Sequence, residues 1–580
     1  MASVAIQRFG GLVPRVSPRL LGNGDATLAE NLKLWSGELR PLKTLGRVRN
    51  VTLPTSGAVE TLYLLIDKWL AWTVDVDVVT GFTTLAGAGR IYYTGDGAPK
   101  QTTYDLVKFG PATPQPASTY PIGLVGPTAA PVIGTTADGP GDPETYSYVY
   151  TFYNLNNEES VPSPPSQLVS VGSGAGQSIQ LTTIEVPVST LVTEKRIYRT
   201  IGGTFIFVAS IAPSATTYTD TATDLDLAGN ESLQSQEYYP PPDDIAGLIA
   251  LACGSLAAFR GNSVLFSEPY QPGGWPPAYE KIFDYPVVAL GTFGQTLVVA
   301  TTGYTYLVQG NDPRSFSVAR VPDPYPCVSK RSMVSVDGGV VYSSSDGLIF
   351  VGAPSYQSGG HGVYVLTREL MTADEWARYD PPFIQGAVFD GRYYGFYKYT
   401  IYTPGNIGAG FVLDFSTRLN TIVTGVVEDP SEYDKKELLC DLDFYATAVF
   451  ANPQVKLHLV IDTPVGSTHH NVLYKWEGGI EYSPLTWRSK QFSFPYAVTF
   501  SVGKMMFNTT YPVEDFTFRL LDGVSGDLLY SRSVSTATPF RLPSIPARTE
   551  WMLEVEGIGA VQLIQVATAF SDLTERKGAQ

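Results

Sequence analysis

His361, His458, His469 and His470 are all the imidazoles this chain has for acid–base or metal chemistry. His469 and His470 adjoin in a polar turn, Gly-Ser-Thr-His-His-Asn, and neighbours on a strand point to opposite faces, so they make a poor joint metal site. The histidines are expected on surface loops. Asp224, Asp226 and Asn230 have the look of a calcium loop, but Ala228 stands where the fifth position needs an oxygen. Ser235 stands where the twelfth needs a bidentate glutamate, so a turn whose aspartates cap the local backbone is expected instead. The pairs Asp75/Asp77 and Asp441/Asp443 each share one face of a strand, a spacing conceivable for glycoside hydrolysis. Such carboxylates ordinarily come from separate strands across a cleft, and these are expected to face solvent on sheet edges. Trp275, Trp376 and Trp476 could stack on a sugar, but their regular places predict packing between sheets. No phosphate-binding loop, dinucleotide glycine motif, GxSxG or HExxH stretch occurs. The expectation is a protein without enzymatic activity, with no catalytic, cofactor-binding or metal residues and no cofactor.

The composition says what must position such residues. Gly (56), Pro (43), Tyr (35) and Phe (27) are abundant among 580 residues, and charged residues make up only 16%. Aromatic and β-branched side chains suit a pleated, half-buried surface, and Gly and Pro supply turns between short strands, so the fold class is all-β. The net charge of −16 gives phosphate nothing to bind, although DNA could pass such a surface without sticking. Cys253, Cys327 and Cys440 are an odd number, far apart, which points to reduced thiols and synthesis in a cytoplasm. The opening MASVAIQRFGGLVPRVSPRLL lacks a charged head and apolar core, so no secretion signal is expected. The longest apolar stretch, Gly247 to Phe259, is about 13 residues and too short to span a bilayer.

Four regions are expected. Residues 1–110 form an N-terminal arm and the first blade of a β-propeller, with GRIYYTGDGAP paralleling the later GNSVLFSEPYQP. Residues 111–237 form an inserted sandwich resembling a fibronectin type III domain. There Tyr146, Tyr148, Tyr150 and Phe152 alternate onto one face, and Gly202–Gly203 turns a hairpin. Residues 238–486 repeat strand, Gly turn, strand at a period of about 40–50 residues, the mark of the remaining blades, about six in all. Residues 487–580 alternate cleanly and predict a C-terminal β-sandwich of jelly-roll kind. Helix is expected only in short pieces, such as TADEWARY at 372–379.

Three stretches carry a family likeness. The first is the arm, with Gly10, Gly11, Pro14, Ala29, Asn31, Gly37, Arg40 and Pro41. The second is LFSEPYQPGGWPPAY (265–279), and the third is the WRSKQF…YPV…PFRLPS…W pattern across 487–551. Together they resemble the tail tubular or nozzle proteins of short-tailed phages, the podoviruses. That resemblance implies a virion protein of the tail, forming a ring that is expected to be a homohexamer, through which DNA is ejected. It implies contacts with the tail adaptor, the portal, and tail fibres or other tail proteins. Duplex DNA would pass the lumen without specific binding, and no membrane insertion is implied. The inserted module lies outside the minimal nozzle pattern. The competing reading is a carbohydrate-binding adhesin or receptor-binding tail protein, since propellers and sandwiches also host sugar sites.

Overall fold

The computed structural model describes residues 2–48, 57–82, 89–108, 116, 118–352, 362–403, 406–415, 437–463 and 469–573. These residues are all-β in character, arranged in many antiparallel sheets with only single turns of helix between them. The stretch expected to be helical holds Ala373–Trp376, continued by a 3-10 turn at Ala377–Tyr379. Thr372 accepts from the Glu375 amide while Glu375 reaches back, so the turn is capped at both partners.

Seven sheets follow one another in a cycle. A two-stranded sheet (Thr61–Leu65, Lys68–Trp72) is followed by four strands starting at Asp77–Thr80. Four-stranded units then begin at Ala246–Ala250, Val287–Phe293, Val334–Val336, Gln385–Phe389 and Ala448–Asn452. From Asp77–Thr80 onward, the first strand of each unit packs on the first strand of the next, and Ala448–Asn452 packs on Thr61–Leu65. The cycle closes through an apolar core in which Leu65, Leu70 and Trp72 meet Ile91 and Tyr93. The repeated strand–Gly–strand pattern explains the layers, because each sheet is apolar on both faces and one sheet alone cannot cover itself. Cores of Val264, Phe266, Val299 and Tyr306, and of Val298, Leu307, Tyr342 and Ile349, fill two successive gaps.

The arm is woven through the rest. Ser3–Ile6 pairs antiparallel with Val561–Ala567 near the other end of the chain. Ala26–Glu30 then pairs with Leu485–Ser489. Gly46–Arg47 supplies the outermost strand of the seventh sheet by pairing with Asn471–Lys475. Arm and first blade are expected to stand together over 1–110, whereas Ser3–Ile6 pairs with a C-terminal strand and Ala26–Glu30 bridges Leu485–Ser489 and Leu438–Leu442. The reason is that a short strand is stabilised by whichever sheet edge it completes, and sequence proximity does not choose that edge. The C-terminal strands form two facing layers, one holding Arg548–Ile558 and Glu514–Asp522, the other Val502–Phe507 and Val561–Ala567. Phe500, Phe518, Phe540 and Trp551 pack between them.

The inserted module is a separate two-layer unit. Tyr148–Asn154, Val192–Ile201 and Thr204–Ile211 form one layer. Val132–Ala137, Ser178–Thr182 and Tyr218–Asp220 lie in the other. Tyr146, Tyr148, Tyr150 and Phe152 are buried in its core, on the face the alternation predicts. Ile201 pairs with Thr204 across Gly202 and Gly203, whose φ of 57° and 87° are open to glycine without strain. The Pro-rich run after this strand is more than a turn. Ser160, Ser163 and Ser166 donate backbone N–H to the carbonyls of Phe152, Tyr150 and Tyr148 at 2.9, 2.8 and 2.8 Å. Their hydroxyls accept the N–H of the same three residues at 3.0, 3.2 and 3.0 Å. The strap therefore satisfies the sheet edge, and its intervening prolines have no donor with which to extend the sheet further.

Candidate functional site

The first strands of six of the seven sheets, and the turn leading into the first strand of the fifth, converge on one cavity of about 200 Å³, lined by residues such as Thr61, Asp77, Gly247, Ala289, Arg331, Gln385 and Val449. That volume holds only a few waters at about 30 Å³ each. The charged residues of its lining are Glu60, Asp77, Lys330 and Arg331, and Asp75 pairs with the two cations beside it. Lys330 and Arg331 sit on a 3-10 turn (Lys330–Ser332) that is pinned by Ser329 Oγ donating to the Ile384 carbonyl at 2.7 Å. Lys330 Nζ lies 2.9 Å from Asp75 Oδ2 and 2.7 Å from Asp77 Oδ2. Arg331 pairs with Asp75 and donates to the Val76 carbonyl at 2.6 Å. Asp77 also accepts the Gly247 N–H at 2.8 Å. Gly247 has φ +68° and sits so close to the Phe259 ring that a Cβ would come within 2.2 Å of it, so only glycine presents that N–H. Burial pulls Arg331 down to about 10, partly offset by Glu60, which leaves it charged at neutral pH.

This arrangement corrects one expectation. Asp75 and Asp77 are not simply solvent-facing acids on an edge: their side chains are 43% and 12% exposed, and both are ion-paired. Sequence reasoning missed Lys330 and Arg331, because 253 positions separate Lys330 from Asp77 and no local pattern announces the pair. With each carboxylate matched to a cation, the cluster ties the second sheet of the cycle to the turn leading into the fifth. Neither acid is left as a free nucleophile or base.

In the second acidic pair Asp443 is exposed, as expected, and Asp441 departs from expectation. Asp441 accepts from Tyr379 Oη at 3.1 Å and lies opposite Glu30 on the neighbouring strand. Burial pushes its carboxyl up to about 7, with Tyr379 opposing and Glu30 adding to the rise. Burial likewise raises Glu30, reinforced by Asp443 and Glu556.

The histidines divide. His458 is buried within a strand, contrary to a surface loop, 4.8 Å from the Trp69 ring centroid, and burial lowers its pKa. His469 Nδ1 meets Asp462 Oδ2 at 2.6 Å, and the His470 backbone N–H meets Asp462 Oδ1 at 3.0 Å. His361 lies outside the described residues. Among the described residues no group of three or more His, Cys, Asp or Glu is placed to hold a metal ion. Asp224 and Asp226 begin a single helical turn capped by Thr223, and Asp224 is bound by Arg199 at 2.7 Å. Trp275 is buried between the second and third sheets of the cycle, Trp376 stacks on Tyr379, and Trp476 meets Tyr394 edge-on. All three are packed away from any stacking platform. Cys327 and Cys440 are buried thiols, each pushed up to about 12 by burial, and Cys253 is also unpaired.

Gly10, Gly11, Ala29 and Asn31 of the arm meet Trp487 and the strand Leu438–Leu442 at one seam, whereas 265–279 lies in the third sheet of the cycle. Gly11 is pressed against Leu439, where a Cβ would come within 2.4 Å of the carbonyl oxygen. Trp487 Nε1 donates to the Gly10 carbonyl at 3.2 Å, and Ala29 is fully buried. Asn31 holds φ 56°, donates its N–H to the Asp441 carbonyl at 3.0 Å and accepts from the Asp443 N–H at 3.3 Å. Gly37, at φ 77°, accepts from the Phe9 N–H at 3.0 Å. Among the described residues no helix is long and apolar enough to cross a membrane.

No protein-family model matches the chain, and no curated protein sequence matches it. Solved structures with some likeness include an exo-β-1,3-galactanase from Phanerochaete chrysosporium, at 10% identity and TM-score 0.19, covering 58% of this chain and 97% of that one. The N-terminal domain of Nup159 is 8% identical at TM-score 0.24, covering 75% of this chain and all of that one. PorZ of Porphyromonas gingivalis, a component of the type-IX secretion system, is 8% identical at TM-score 0.24, covering 89% and 82%. Scores this low carry no functional argument.

Proposed function

We propose that this chain is a structural, non-enzymatic subunit of a short-tailed phage tail, forming a ring around the path by which DNA leaves the particle. In this reading the cycle of sheets is a β-propeller, with seven blades rather than the six expected if the two-stranded sheet is counted. The inserted module is a fibronectin III-like sandwich and the C-terminal layers are a jelly-roll-like sandwich.

The observation that carries the reading is the seam. Gly10, Gly11, Ala29 and Asn31, which bear the likeness to nozzle proteins, thread the arm between the cycle and the C-terminal sandwich. They do mechanical work, welding modules together, and that is what a conduit subunit requires. The cavity of about 200 Å³, with the ion-paired Asp77 in its wall, is far too small for a duplex. The conduit must therefore form between subunits around a symmetry axis, through head-to-tail contacts that close into a ring. A chain of net charge −16, repeated around the lumen, would repel phosphate and let DNA slide. Adaptor, portal and other tail proteins are the partners this reading names.

The test is an image of the tail from intact particles. Several copies, expected to be six, should encircle the tail axis. A single copy, or trimers projecting sideways, would overturn the conduit reading in favour of a receptor-binding adhesin.

A further inference from the structure

The largest sheet of the molecule is two sheets joined at one residue pair. On one side stand Gln385–Phe389, Arg392–Thr403, Asn406–Asp414 and Leu438–Leu442 of the cycle. On the other stand Ala26–Glu30 of the arm and then the C-terminal strands. Neighbours elsewhere in this sheet are antiparallel and share several paired residues. At the junction the strands run parallel and only Glu30 and Asp441 are opposed. Opposed residues project to the same face of a sheet, so the joint sets two carboxyls side by side.

Their surroundings do not neutralise them. Tyr379 Oη donates to Asp441 at 3.1 Å from one flank, and Tyr397 and Cys440 lie behind that tyrosine. Asp443 and Glu556 add further negative charge near Glu30. Arg519 is held by Glu554 at 2.7 Å and by Glu556, and Arg392 is held by Asp414 at 2.9 Å. Arg488, on the strand beside Glu30, is likewise held by Glu554 at 2.6 Å, so among the described residues no cation pairs with either carboxyl, and two half-buried carboxyls facing each other cannot both ionise cheaply.

We propose that Glu30 and Asp441 form a proton-dependent joint, in which a proton held on Asp441, facing Glu30 across the strands, locks the arm and C-terminal sandwich to the cycle of sheets. Loss of that proton to solvent leaves two like charges facing each other and loosens the seam. The bonds at risk are the neighbouring ones: Asn31 N–H to the Asp441 carbonyl at 3.0 Å and Leu12 N–H to the Leu439 carbonyl at 2.9 Å. The sign follows from the raised carboxyls. The folded state binds the proton more tightly than the unfolded chain, so this stabilisation is complete at acid pH and is lost as pH rises through about 7.

Amide hydrogen exchange on the full-length chain tests this, read at residues 26–31 and 438–443 and corrected for intrinsic base catalysis. Protection in the wild type should fall about tenfold or more on passing from acid to alkaline sides of neutrality, while sheets elsewhere in the cycle hold theirs. Asp441→Asn, which is neutral throughout, should show no such step. Glu30→Gln removes the facing charge and should move the step to lower pH, and it carries the test if Asp441→Asn does not fold. An infrared band of a protonated carboxyl, titrating near neutrality and absent from Asp441→Asn, is the accompanying signature. Parallel pH profiles in wild type and Asp441→Asn, or an unmoved step in Glu30→Gln, would overturn the proposal.

Discussion

Lys330 Nζ lies 2.7 Å from Asp77 Oδ2 at the wall of the cavity, an ion pair between residues 253 positions apart. The same oxygen accepts the Gly247 N–H at 2.8 Å, so Asp77 ties three sheets of the cycle to one point. Asp77→Ala should cost about 2–3 kcal/mol, because a mostly buried cation and a backbone donor both lose a charged acceptor. Asp75→Ala should cost under about 1 kcal/mol, since that side chain is nearly half exposed and solvent screens it. Urea unfolding of the two variants gives the comparison, and an equal or reversed order would refute the ranking.

Ser163→Ala should destabilise the inserted module by about 1–3 kcal/mol, the cost of stranding the buried Tyr150 N–H that its hydroxyl accepts. The exchange rate of the Tyr150 amide is the direct measurement. It should rise in Ser163→Ala while the Tyr198 amide, on the neighbouring strand, keeps its protection.

Arg199 and Asp220 form a wholly buried pair at 2.8 Å in the same module, with the guanidinium 4.5 Å from the Tyr146 ring centroid. Asp220→Ala should cost about 3–5 kcal/mol, because it leaves the buried guanidinium with only the partly exposed Asp224 as a charged partner. The double change Arg199→Met with Asp220→Leu should cost less than the single one, despite removing more hydrogen bonds. Calorimetry of the two proteins decides it, and a costlier double variant would mean that the network, rather than the stranded charge, sets the stability.

Gly11→Ala should weaken docking of the arm by about 1–3 kcal/mol, since its Cβ has no room beside Leu439 and the backbone must shift. Limited proteolysis within residues 12–25 reports on it. Faster cleavage there, with the inserted module still resistant, is the expected pattern.

Replacing His469 and His470 together with Gln should leave folding and particle assembly intact, and purified protein should contain no stoichiometric zinc. In the structure His469 Nδ1 meets Asp462 Oδ2 at 2.6 Å. Loss of particles in the double variant would show that the turn matters beyond this local contact.

Period alone was enough for much of the fold. Tyr146, Tyr148, Tyr150 and Phe152 alternate, and all four are buried on one face. Gly202–Gly203 turns the hairpin that its dipeptide announces, and Thr372 with Glu375 caps the one short helix expected. The capping role expected for Asp226 also appears, through Thr223. These features depend on neighbours a few residues apart, where side-chain direction follows from backbone repeat. The serine strap was half legible: its prolines marked an edge, but its register against Tyr148–Asn154 depends on a partner strand.

The sequence by itself determined the all-β character, the alternation of buried faces and the turns, because those are set by residue type and local spacing. Only the tertiary structure decided which carboxylates are paired and which face each other. Asp75 and Asp77 meet Lys330 and Arg331, and Asp441 meets Glu30, at separations of hundreds of residues. It also decided that Ser3–Ile6 joins Val561–Ala567. The physical reason is the same in each case. An i, i+2 pair fixes which face of a strand two acids share, but the strand laid against that face sets their solvent, their partners and their protons.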